Sequence, residues 1–283
     1  MKNEAYTGKE EISPELQEKL DRLREKIRGL GSLAIGFSGG VDSSFLLAVA
    51  QEVLGEKALA LTADVISVPE KELAEAKAFC EARGIRQILC RVDVMEEENF
   101  RYNSPERCYF CKRRIFRALK KAAEENGIAF LAEGSNMDDL GDYRPGHRAV
   151  KELEVISPLL EAGLYNDEIR LLSKAMGLPT WSKPAYACLA SRFVYGEEIT
   201  KEKLSMIERA EQYLIERGFA EERVRLHGDI ARIEVPEREI PRLTSDEIRR
   251  DLHEAFSKMG FMFVTLDLGG FRTGSMNRAL QKT

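Results

Sequence analysis

Between a short apolar run, residues 32–37, and a helical pattern, residues 45–54, lies the septet Ser38-Gly39-Gly40-Val41-Asp42-Ser43-Ser44. A strand that turns through two glycines straight into a helix narrows what the rest of the chain can become. The glycines permit a sharp turn and a close approach of backbone to a bound group. The amides of Gly40 to Ser44 are then expected at a helix N-terminus, where the dipole favours an anion. Ser38, Ser43 and Ser44 add hydroxyl donors. Asp42 is out of place beside phosphate unless it serves a Mg2+ ion that bridges phosphate oxygens. A plain Gly-Gly turn with a Ser or Asp cap is the alternative. The complete septet, directly after a buried-strand pattern, weighs against it. No Gly-Lys-Ser/Thr follows, which excludes a Walker loop.

The same rhythm recurs downstream. Leu16, Leu20, Leu23 and Ile27 repeat at helical spacing over 12–30, after Ser13-Pro14. Strands are predicted over 58–63, 86–92 and 129–133, and helices over 70–83, 113–126 and 167–176. Alternating strands and helices predict an α/β fold, a parallel sheet with helices on both faces. After about Tyr195 the pattern changes to helix 201–217, short strands 224–226 and 231–235, helix 245–259 and strand 263–268, a βαβ-like unit. A chain of 283 residues suits two domains. They are placed at 1–190 and, for a smaller α/β domain, at 191–283.

With hydrophobic residues at 43% and charged residues at 32%, the composition is that of a globular protein. The net charge of -5 leaves no nucleic-acid footprint. No apolar run approaches the ~20 residues of a membrane span, and residues 1–19 lack the apolar stretch of a secretion signal. A cytoplasmic protein is expected, with neither nucleic acid nor membrane as partner. In a reducing compartment its five cysteines are not expected to pair. Cys80 and Cys90, on a predicted helix and strand, read as small buried hydrophobes.

Cys108-Tyr109-Phe110-Cys111 stands at the start of a helix, among Arg107, Lys112, Arg113 and Arg114. That setting favours thiolates, which soft metal centres require. Cys188 supplies a third sulfur. A structural zinc site needs a fourth ligand, for which His147 is the one suggestion. A thioredoxin-like redox pair lacks that fold's context. A three-cysteine [4Fe-4S] cluster fits spacing and softness. Farther on, Arg223, Arg225 and His227 alternate along a predicted strand and share a face, and Gly269-Gly270-Phe271-Arg272 forms a loop. Such arginines suit a substrate phosphate; a solvated charged face is the competing reading.

The septet resembles the phosphate loop of N-type ATP pyrophosphatases. That resemblance implies a PP-loop domain of adenine nucleotide alpha hydrolase type, cleavage of ATP to AMP and pyrophosphate, and backbone contacts to adenine from Leu61-Thr62-Ala63. Nearly the whole chain is similar to the LarE family of sulfur transferases. The likeness rests on Gly36 to Ser43, Asp142-Tyr143-Arg144-Pro145-Gly146, Ser191-Arg192-Phe193, Tyr195-Gly196, Val224-Arg225, Asp229 to Glu234 and Thr265 to Arg272. It implies adenylation of the carboxylates of a pyridinium-3,5-dicarboxylate mononucleotide and their conversion to thiocarboxylates for a nickel-pincer cofactor. Cys108 and Cys111 resemble the branch in which they and Cys188 hold a [4Fe-4S] cluster with an open fourth iron. In the other branch Cys188 gives up its own sulfur. The resemblance further implies Mg2+ at Asp42, Arg192 steadying the acyl phosphate or the substrate, Arg223, Arg225 and Arg272 at the substrate phosphate, and a homo-oligomer, a hexamer being the candidate state. It leaves the sulfide donor open, and a tRNA-thiolating PP-loop enzyme is the alternative class.

Overall fold

The computed structural model describes residues 12–141, 145–184, 187–272 and 276. Asp142-Tyr143-Arg144, Ala185-Tyr186 and Thr273-Gly274 lie outside the described residues. Besides short 3-10 turns, the elements in chain order are α1 (Pro14–Leu30), β1 (Leu33–Gly36), α2 (Val41–Leu54), β2 (Ala58–Asp64), α3 (Glu70–Arg83), β3 (Gln87–Arg91), α4 (Glu98–Arg101), α5 (Arg107–Glu125), β4 (Leu131–Ala132), α6 (Gly146–Glu152), α7 (Pro158–Glu161), α8 (Asn166–Ala175), α9 (Lys201–Glu216), β5 (Arg223–His227), β6 (Ile230–Glu234), α10 (Ile240–Leu243), α11 (Asp246–Met259) and β7 (Phe263–Leu266).

Two compact units result. The described residues up to Asp64, Glu70–Val92 and those from Lys112 to Pro184 form the first. Val65–Pro69, Asp93–Cys111 and the residues from Ala187 onward form the second. The last segment of the second unit thus starts near the expected boundary at 190, and two earlier segments join it.

The first unit is built on a four-stranded sheet in the order β3-β2-β1-β4, with every pair parallel. Side chains alternate across a strand, and the two cores follow that alternation. Leu33, Ile35, Ala58, Ala60 and Ala132 join Leu20, Leu23, Leu46 and Phe79 from α1, α2 and α3. Ala34, Leu59, Leu61 and Leu131 join Phe116, Leu119 and Ala123 from α5. Both faces are therefore covered, as a parallel sheet requires. α1 begins with Ser13 accepting from the Leu16 amide, with proline in its first turn.

The second unit carries a sheet in the order β5-β6-β7. β5 and β6 form an antiparallel hairpin closed by Gly228-Asp229, and β7 returns parallel to β6 after α11. The expected βαβ unit is β6-α11-β7, with a hairpin strand added in front. No helix among the described residues is long and apolar enough to cross a membrane.

Candidate active site

The strand order puts the septet where ligands bind in open parallel sheets. β2 lies on one side of β1 and β4 on the other, so the order in which strands are added reverses at β1. The crevice outside the carboxyl ends of β1 and β4 is the expected binding point. Phe37 donates its amide to Leu61 O at 2.9 Å, extending the pairing one residue past β1. The chain then turns at Gly39, whose φ is 74°, and Gly40 caps α2. α2 starts at Val41 rather than near Phe45, so Asp42, Ser43 and Ser44 form its first turn. Ser38 is exposed, Ser43 and Ser44 are buried, and Val41 is a core residue. The Ser38 and Ser43 hydroxyls lie 3.1 Å apart. Ser44 Oγ is buried without a hydrogen-bond partner among the described residues.

The loop after β4 closes on this turn. A Cβ on Gly134 would stand 3.0 Å from the Ser43 nitrogen, so any side chain there would push the turn back by a few tenths of an ångström. Asn136 follows, and its amide donates to Asp42 Oδ1 at 3.1 Å. Asn166, at the start of α8, donates to the same oxygen at 3.1 Å. Burial pushes the Asp42 carboxyl up, against the two amides that lower it. Both donors take Oδ1, and a carboxylate oxygen is the hard ligand that Mg2+ prefers. The donor set fits that ion. Nearby, buried Glu133 accepts from the hydroxyls of Ser135 and Ser157 at 2.8 and 2.6 Å.

Ala63 has a defined orientation. Leu61 O faces β1, while Asp64 O accepts from Val92 on the β3 side at 3.0 Å. By alternation the Ala63 backbone faces the β1 side, where the register with β1 has ended at Gly36↔Leu61. Its amide and carbonyl thus meet an open edge. Thr62, facing the other way, is held by Gln87, whose amide donates to its hydroxyl at 2.8 Å.

Cys108, Cys111 and Cys188 all belong to the second unit. Cys108 and Cys188 are exposed and Cys111 is half-buried. Buried Arg107 donates to Ala190 O at 2.7 Å and to Cys108 Sγ at 3.5 Å. Burial opposes its charge, but Cys108 and Cys188 beside it raise its pKa. The soft donor set suits a metal–sulfur centre. Among the described residues, no three His, Cys, Asp or Glu side chains stand at ligating spacing. His147 belongs to the first unit, on α6.

The arginines divide by burial. Arg192 is fully enclosed and donates from Nε and Nη2 to the two oxygens of Glu211, each at 2.9 Å. Its Nη1 reaches Cys188 O at 3.2 Å, so it grips the backbone of the cysteine turn. Arg225 donates to buried Glu234 at 2.9 and 3.0 Å and to Ser191 O at 3.1 Å. Arg223 is buried, with its guanidinium 5.2 Å from the Phe271 ring centroid. Arg272 is exposed. Gly134, Asn136, Asn166 and Lys183 belong to none of the sequence motifs. The Gly134-Ser135-Asn136 run directly after a predicted strand is the one available signal for them.

The NAD synthase family matches residues 15–108, which include the septet and the strands beside it. An uncharacterized protein of Synechocystis sp. is 43% identical over 94% of this chain and 100% of its own. A glutamine-hydrolyzing GMP synthase subunit of Methanococcus maripaludis is 32% identical over 59% of this chain and 56% of its own. The pyridinium-3,5-bisthiocarboxylic acid mononucleotide synthase of Lactiplantibacillus plantarum is 35% identical over 94% of this chain and 96% of its own. A likeness that runs so far beyond the phosphate loop is one of whole chains: this chain belongs to the LarE family, and it is an ATP-dependent sulfur transferase.

Proposed function

We propose that the enzyme adenylates the carboxylates of a pyridinium-3,5-dicarboxylate mononucleotide and exchanges oxygen for sulfur, giving thiocarboxylates for a nickel-pincer cofactor. The observation that carries this reading is near full-length similarity to a synthase named for the bisthiocarboxylic product. A carboxylate oxygen is a poor leaving group. Its attack on the ATP α-phosphate makes AMP the leaving group and splits one hard step into two. Ser38, Gly39, Gly40, Val41, Ser43 and Ser44 hold the departing pyrophosphate. Asp42 would hold Mg2+, which offsets the charge building there. Ala63 pairs with adenine through its open backbone edge. Arg223 and Arg272 receive the substrate phosphate. Arg225, committed to Glu234, shapes that pocket. Arg192 acts through the backbone it holds at Cys188.

For sulfur delivery, Cys108, Cys111 and Cys188 would hold a [4Fe-4S] cluster. When bound, such a cluster leaves one iron without a protein thiolate, free to carry the sulfide that is transferred. Their common membership of one unit supports this. The exposure of Cys188, and the absence among the described residues of a three-ligand group able to hold a metal, favour a second reading, in which Cys188 donates its own sulfur. The thiolate displaces AMP, and cleavage of the Cys188 Cβ–S bond with loss of the α-proton then leaves dehydroalanine. Iron and acid-labile sulfide measured on protein purified without oxygen separate the two. About four iron atoms per chain, lost in Cys108→Ala, is the expected result. Iron-free protein whose Cys188 loses sulfur mass after one turnover would overturn the cluster.

A further inference from the structure

Lys183 is not part of the septet, yet its ammonium sits on it. Nζ donates to Gly39 O at 3.2 Å, to Glu72 at 2.8 Å and to Glu75 at 2.7 Å. An ammonium has three donors, and all three are used. Glu72 and Glu75 are three apart on α3 and so share a face. The next residue, Ala76, packs on the loop: a Cβ on Gly39 would meet the Ala76 Cβ at 3.2 Å. One turn of α3 therefore backs the loop and supplies the carboxylates that hold the lysine.

In a trans peptide the carbonyl and the following N–H point in opposite directions. A Gly39 carbonyl held by Lys183 thus sends the Gly40 N–H to the other side. Two adjacent glycines leave this peptide free to flip, which would turn a carbonyl oxygen, rather than an amide, toward an anion. We propose that Lys183, held by Glu72 and Glu75, is a positioning residue that fixes the Gly39–Gly40 peptide in the orientation that binds the β- and γ-phosphates of ATP. The acid pair offsets the ammonium charge and keeps it on the carbonyl instead of in the anion site. This rests on the reading of the septet as the pyrophosphate cradle.

The test is calorimetry on the full chain with Mg-ATP, pyrophosphate and AMP, comparing Lys183→Met, Lys183→Arg and the double variant Glu72→Gln/Glu75→Gln. Lys183→Met is expected to weaken ATP and pyrophosphate roughly ten- to hundredfold, the effect of losing a hydrogen bond to a charged group. AMP, which lacks the β- and γ-phosphates, should bind as before, and Lys183→Arg should recover most of the loss. The double variant should also weaken pyrophosphate. Unchanged pyrophosphate binding in Lys183→Met, or equal loss of AMP, would overturn the proposal. So would tighter pyrophosphate binding in the double variant, because a released ammonium would then be a direct phosphate ligand. Failure of the unaltered protein to bind either ATP or pyrophosphate would overturn the cradle reading itself, and the proposal with it.

Discussion

Glu222 is the carboxyl group that the second unit treats least kindly. It is 1% exposed, and its Oε1 has no hydrogen-bond partner among the described residues. Burial, then the charge of Glu211, pushes its pKa up to about 7. The folded state therefore binds this proton more tightly than the unfolded chain does. The associated stability is fully present below the ordinary value of 4.5 and is lost as pH rises through about 7. A shift of this size corresponds to a loss on the order of 3 kcal/mol. Thermal melts between pH 5 and pH 8 should show Tm falling with pH, and Glu222→Gln should flatten the slope; an unchanged slope in that variant would remove Glu222 as the cause. Residues of this kind are not legible in a sequence. Arg192 and Arg225 read there as substrate ligands because arginine suits phosphate. What decides their use is a carboxylate from elsewhere, Glu211 or Glu234, whose pairing no local spacing reveals.

Among the elements, the strand–loop–helix unit is the most legible. The helix predicted over 70–83 has the observed bounds. α2 and α5 begin earlier than their apolar patterns suggest, at Val41 and Arg107. In α2 the Ser and Asp residues read as loop, though they also occupy first helical turns. The β5–β6 pairing does not read as a hairpin from its two short apolar runs, although Gly228-Asp229 between alternating residues is a turn signal. The short helices α4, α6 and α7 have too few turns to show a period. The septet allows a prediction at this scale. Gly39 has φ 74° and already lies close to Ala76. Gly39→Ala must move the loop or α3, and should lower ATP-dependent pyrophosphate release by at least about tenfold, since about 1.4 kcal/mol of misplacement suffices. Release at the parental rate would show that the turn has slack which the packing conceals.

Taken whole, the chain does not divide at a single cut. The second unit takes residues 93–111 along with the segment after 187. Asn103 is fully buried and donates to Phe193 O at 3.0 Å and Val194 O at 2.7 Å. The Gly196 amide donates to Asn103 O at 3.2 Å, and the Ile199 amide to Arg101 O at 2.7 Å. A fragment of residues 191–283 expressed alone lacks these partners. It should show the broad, non-cooperative melt of a chain without fixed packing; a sharp two-state transition would show that residues 93–111 are dispensable to it.

The same discontinuity sets a waiting time during synthesis. Asn103 leaves the ribosome 90 residues before Phe193, the carbonyl it will satisfy. At about 5–20 residues per second, the growing chain carries this buried-to-be amide unmatched for roughly five to twenty seconds. The second unit therefore cannot close around Asn103 until the segment from Ala187 onward has been made.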